Sequence, residues 1–202
     1  QMKLTIDYTR KAGTVRRLNG VNLAPPPIAE KASRDLSADF AALRAPYTRL
    51  HDAPLENGNM RLVDVPFLFG NCDADAADKA NYYFRQTDDY LATCRRCGSD
   101  VIYRLGVSIE HGIGRYYAFP PEDFEKWSDI CVNIVRHYNE GWNDGFAWNI
   151  RYWEIWNEPD LAGNMWNAPL ERYFELYALT AKKLKARFPG IRVGGPAYAC
   201  SD

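Results

Sequence analysis

The chain has 202 residues, of which 47% are hydrophobic, and a formal net charge of −1 at pH 7. Those values suit one globular domain and give no footing for a nucleic-acid or anionic-membrane partner. No apolar run approaches the ~20 residues of a membrane span, and no basic-then-apolar run of signal type occurs.

The aromatic content is 14%, with six Trp and thirteen Tyr. Aromatic rings fill cores first, and their faces also stack on sugar rings. Cys72, Cys94, Cys97, Cys131 and Cys200 form no even framework and read as free thiols. Cys94-x-x-Cys97 has no second Cys pair or spaced His pair beside it and lies in a helical pattern, so no metal centre is expected.

In chain order, residues 3–8 alternate weakly and predict a short accessory strand, closed at Gly13. Residues 14–22 predict a strand, and Pro25-Pro26-Pro27 a stiff exit from it. Leu36, Phe40 and Leu43 lie on one face of a helix over 33–43, with Ser33 as its cap. Residues 47–52 form a strand ending in polar groups. Residues 53–82 are irregular, with turn signals at Asn57-Gly58 and Gly70-Asn71 and an extended piece at 63–69. A helix over 87–97 stops at Gly98, and residues 101–105 form an apolar strand.

A glycine-rich loop follows, and Pro121 marks a helix start. Phe124, Trp127, Cys131, Ile134, Val135 and Tyr138 then keep a 3.6-residue spacing up to Gly141. Residues 151–157 are the next strand. The helix over 169–188 carries Leu170, Tyr173, Phe174, Tyr177, Ala181 and Leu184 on one face, and residues 191–194 close the series as a strand. Strands alternating with helices imply a parallel sheet. Polar residues recur at strand C-terminal ends, where barrel and doubly wound enzymes keep their sites. No Gly-x-Gly-x-x-Gly follows the first strand, so the expected class is α/β, a partial (β/α)8 barrel of strands one to five with their helices.

The chemistry concentrates at Arg151-Tyr152-Trp153-Glu154-Ile155-Trp156-Asn157-Glu158-Pro159-Asp160. An aromatic and β-branched run ends in a polar cluster closed by proline. It either delivers a carboxylate to a pocket or ends a core strand in a capped turn. On the first reading Glu158 is the functional carboxyl, Asn157 an amide able to bind a hydroxyl, and Trp156 an apolar neighbour that favours the protonated acid.

With Glu154-Ile155-Trp156-Asn157-Glu158-Pro159, Arg49-Leu50-His51 at the second strand end, and Tyr82-Tyr83-Phe84…Asp88 before the second helix, the chain resembles glycoside hydrolase family 39. That is the β-xylosidase and α-L-iduronidase family, in the retaining (β/α)8 clan. The resemblance implies that Glu158 is the general acid/base and that Asn157 binds the 2-hydroxyl. It implies that His51 binds substrate, and that Arg49 either orients the nucleophile or pairs with Glu154 in the barrel core. Trp156, Asp52, Glu110, His111 and Tyr116 are further candidates for substrate contact.

A retaining pair of carboxylates stands about 5–5.5 Å apart. Glu154 and Glu158, four extended residues apart, would stand roughly 13 Å apart, too far for a catalytic pair. The family's nucleophile, a Glu on the seventh strand, falls beyond Asp202. The expectation is therefore the N-terminal portion of a glycosidase domain acting on β-xylosides or related plant oligosaccharides, inactive alone and without a cofactor. Its partners would be an oligosaccharide and either the missing barrel half or another copy at the open sheet edge. The alternative is a non-catalytic carbohydrate-binding or degenerate module. The resemblance also favours a secreted or periplasmic location over a cytoplasmic one.

Overall fold

The computed structural model describes residues 3–15, 17–23, 35–52, 61–110 and 113–200. Five strands form one parallel sheet: β1 (Val21–Asn22), β2 (Tyr47–Leu50), β3 (Asp100–Leu105), β4 (Tyr152–Ile155) and β5 (Arg192–Gly194). They lie side by side in chain order, each paired with the strand before it. Five helices occupy the connections: α1 (Ser37–Leu43), α2 (Val65–Leu68), α3 (Arg85–Arg96), α4 (Phe124–Glu140) and α5 (Leu170–Arg187). This is a partial (β/α)8 barrel, a wall of five strands that does not close. No helix among the described residues is long and apolar enough to cross a membrane.

The two faces of the sheet differ as the side-chain alternation of strands requires. Thr48, Leu50, Val101, Tyr103, Trp153 and Ile155 point to the helical layer and are buried. Tyr103 packs against Tyr138 of α4 and Trp153, and the Tyr173 hydroxyl of α5 donates to the Ile155 carbonyl at 3.1 Å. On the other face Tyr47, Arg49, Ile102, Tyr152 and Glu154 are only half-buried. That face lines the inside of a barrel, and here it is open.

The helices form where the apolar spacing and the caps agree. The Asp123 side chain accepts from Lys126 N at 3.0 Å at the head of α4, two residues after Pro121, and Gly141 at φ 72 closes it. Along α4, Trp127, Ile130, Cys131, Ile134, Val135 and Tyr138 are buried. In α5 the buried stripe is Tyr173, Leu176, Thr180 and Leu184, while Phe174, expected inside, is 50% exposed. Burial pushes the Cys94 thiol up to about 12, so this cysteine of α3 stays a neutral, apolar core group.

Three expectations are corrected. Residues 3–8 are not a strand: Asp7 Oδ1 accepts from Thr9 N at 2.9 Å, a local turn, and no other strand pairs with them among the described residues. The strand expected over 14–22 shrinks to Val21–Asn22. Residues 63–69 are not extended, because Asp64 and Pro66 stand at the N-cap and first turn of α2, where proline's fixed φ starts a helix. The Ser33 cap, the triple proline and Asn57-Gly58 lie outside the described residues.

Candidate functional site

The polar residues at the ends of β2 and β4 meet on the open face. Arg49 Nε donates to Glu154 Oε2 at 2.7 Å, and Arg49 Nη2 donates to Asn157 Oδ1 at 2.5 Å. The Asn157 amide Nδ2 in turn donates to Glu158 Oε2 at 3.0 Å. Four side chains thus form one line: Glu154, Arg49, Asn157, Glu158. Arg49 fixes the amide with its oxygen inward, so the Asn157 nitrogen can only face Glu158. Asn157 is buried, while Glu158 is half-buried and reachable.

The extended spacing assumed between Glu154 and Glu158 ends at Ile155. Trp156 and Glu158 both adopt left-handed backbone, at φ 67 and φ 46. Such φ values cost non-glycine residues about 1 kcal/mol or more and persist where surroundings enforce them. Here Trp156 N donates to Leu105 O at 2.7 Å and Glu158 N to Pro196 O at 3.1 Å. Gly106 lets the chain pass, since a Cβ there would stand 3.0 Å from Trp156 Cα. Asp160 adds the outermost anchor: its carboxylate accepts Ala199 N at 3.1 Å and Cys200 N at 2.9 Å. The loop bearing Glu158 is therefore stitched to the tail that follows β5.

His51 is buried at the end of β2, and neither ring nitrogen has a hydrogen-bond partner. Burial, and then the Arg104 and Arg49 guanidinium groups, drive its pKa down to about 3. At neutral pH it presents a neutral ring with one donor and one acceptor. Asp52, at φ 51, receives Ile109 N at 2.9 Å and stands 3.5 Å from His51 Nε2.

The remaining candidates sit differently. Trp156 is a core residue: it is 1% exposed, its Nε1 donates to Met165 O at 2.8 Å, and its ring meets Trp166 edge-on. It offers no face to a ligand, because the left-handed turn swings the indole into the helical layer. Glu110 is buried and accepts Tyr117 N at 2.7 Å, with Arg61 at 3.7 Å. Tyr116 is 80% exposed on the loop surface and is not joined to the Arg49 line. His111 lies outside the described residues.

One cluster was missed. Arg104 on β3 and Asp64 before α2 are 0% and 2% exposed, and Arg104 Nη2 donates to Asp64 Oδ1 at 2.6 Å. The other carboxylate oxygen receives Ser108 N at 2.8 Å. Burial pushes the Asp64 carboxyl up, against the pull of Arg104 and Ser108. Arg104 Nε and Nη1 have no partner. The available signal was a lone arginine inside an apolar strand.

The model of glycosyl hydrolases family 39 matches residues 74–202. A beta-xylosidase of Geobacillus stearothermophilus is 42% identical over 81 residues, 39% of this chain and 15% of that protein. A crystal structure of a glucosidase from Croceicoccus marinus superposes with a TM-score of 0.74 at 26% identity, covering 93% of this chain and 38% of that one. A monomeric beta-xylosidase from Caulobacter crescentus shares the fold at a TM-score of 0.64 and 23% identity, covering 95% and 38%. The chain thus spans less than half the length of each of these relatives.

Proposed function

Because the chain belongs to glycosyl hydrolases family 39, we propose that it is the acid/base-bearing portion of a retaining glycosidase acting on β-xylosides or related plant oligosaccharides. The observation that carries this reading is the Asn157–Glu158 pair at the end of β4, hydrogen-bonded at 3.0 Å and braced by Arg49. In this reading Glu158 protonates the leaving oxygen and then takes a proton from the attacking water. Asn157 and the neutral His51 bind the sugar hydroxyls. No step calls for a cofactor or metal.

A retaining mechanism needs a second carboxylate about 5–5.5 Å from the first. The nearby carboxylates are already engaged: Glu154 with Arg49, Asp52 with Ile109 N, Glu110 with Tyr117 N. In this reading the nucleophile is supplied from outside the described residues, and the polypeptide alone does not turn over. The partner is the rest of the barrel, or another copy, meeting the free edges of β1 and β5, which each have one neighbour.

The test uses an aryl β-xyloside. The chain alone is expected to be inactive. A complete barrel built on it is expected to be active and to lose at least ~100-fold in kcat on Glu158→Gln. Turnover by the chain alone removes the claim of a missing nucleophile. A complete barrel indifferent to Glu158→Gln removes Glu158 as the acid/base. A second reading, a carbohydrate-binding module without chemistry, is favoured by the engagement of Glu154, Asp52 and Glu110. It predicts xylo-oligosaccharide binding in calorimetry with no activity in the complete barrel.

A further inference from the structure

One cavity stands away from the strand ends. It lies in the helical layer, between the start of α3 and the loop after α4, with a volume of about 700 Å³. It shares no residue with the Glu154–Arg49–Asn157–Glu158 line. Part of its lining comes from Tyr82-Tyr83-Phe84…Asp88, a run for which the strand-end chemistry has no use.

Most of that run has a task in the core. The Tyr82 hydroxyl donates to Ala76 O at 2.7 Å and lies 3.0 Å from Asn133 Nδ2. Phe84 stacks on His137 with ring centroids 3.6 Å apart, and Asp88 stands 3.0 Å from His137 Nε2. Tyr83 is different: its N–H is fixed to Leu68 O at 2.9 Å, yet its side chain is 64% exposed at the cavity. Its ring is thus open to solvent at the cavity.

The far wall is equally fixed. Gly145 sits where a Cβ would overlap the His137 carbonyl, and Phe146 N donates to that carbonyl at 2.6 Å. Ahead of it Asn143 and Asp144, both at φ 57, form the lip. Gln86 and Asp89 of α3 belong to the same lining. Arg85 also lines the cavity, so its rim carries both signs of charge and does not select a simple anion or cation.

We propose that this cavity is a second carbohydrate-binding site, in which a pyranose ring lies on Tyr83 and its hydroxyls bond to Gln86, Asp89 and Asn143. A pyranose presents a C–H face that packs on an aromatic ring, and adjacent hydroxyls that match planar amides and carboxylates. The volume falls within the ~300–1,000 Å³ of ligand sites. The site goes beyond the acid/base reading and stands without it.

The test is a titration of the whole 202-residue chain with xylotriose, followed by amide NMR. The amides of Tyr83, Gln86, Asp89 and Asn143 are expected to shift with one saturable curve. Tyr83→Ala is expected to weaken binding at least ~10-fold, and Gln86→Ala about threefold, with unchanged melting temperature. Should Tyr83→Ala melt early, Tyr83→Leu keeps the bulk without the flat face and carries the same expected loss. Cavity amides that stay still to the limit of xylotriose solubility overturn the proposal, as does Tyr83→Leu binding as wild type. Choline moving these amides where xylotriose does not overturns the ligand class. Glu158→Gln is expected to leave the cavity shifts intact, so failure of the acid/base reading is read separately.

Discussion

Two charged clusters stand at neighbouring strand ends and differ in their access to water. In the Asp64–Arg104–Ser108 cluster the ion pair is 0% and 2% exposed, and both oxygens of the carboxylate are occupied. In the Glu154–Arg49–Asn157–Glu158 line the ion pair is 14% and 26% exposed, and the last carboxylate is reachable. The first cannot exchange partners without unfolding its surroundings. The second can exchange protein hydrogen bonds for those of a ligand. Position at a strand end does not by itself leave a charge open to a ligand; incomplete burial beside a fixed neighbour does.

The comparison breaks most readily at Arg104. Arg104→Met leaves Asp64 buried beside an apolar chain, and a loss of about 3–5 kcal/mol is expected in urea unfolding. A loss below about 1 kcal/mol would place both clusters on the same footing. Next comes pH. The unfolded chain takes up a proton on His51 near 6.5, whereas the folded chain resists until about 3. The unfolded state therefore binds more protons within that window, and stability falls as pH drops through it, by up to a few kcal/mol. Above pH 6.5 this contribution is fully present, and His51→Asn should flatten the slope in pH-dependent unfolding.

Arg49→Met is expected to cost about 1–2 kcal/mol, less than Arg104→Met because the Arg49–Glu154 pair is part-exposed and water can replace the lost donor at Glu154. Its more telling readout is the Asn157 side-chain amide signal in NMR, which should lose its fixed orientation. The smallest effect is expected at Asp160. Asp160→Ala should cost about 1 kcal/mol while exposing the Ala199 and Cys200 amides to hydrogen exchange, with Asp160→Asn between the two. Unchanged exchange would show that the β5 tail holds the Glu158 loop by other means.

Much of the architecture was legible in the residues. The periodicity of residues 124–138 and the alternation of strands with helices lead to the observed parallel order, because apolar spacing is a local signal. Asn157 and Glu158 were legible as a pair at a strand end. What escaped depends on distance or on backbone. Asp64 and Arg104 are 40 residues apart, and nothing local announces their bond. The left-handed turn at Trp156 broke the side-chain alternation that the spacing of Glu154 and Glu158 assumed, and sent the indole into the core. Residues 3–8 alternate like a strand, but alternation without a neighbouring strand leaves the backbone groups to water and to Asp7.

The strand order has a consequence for how the chain is made. Each strand pairs with the one before it, so every strand finds its partner already made. A chain emerging from a ribosome can add one strand and its connecting helices at a time to a growing edge. Translation order and assembly order can then coincide, the wall growing like masonry, course upon course.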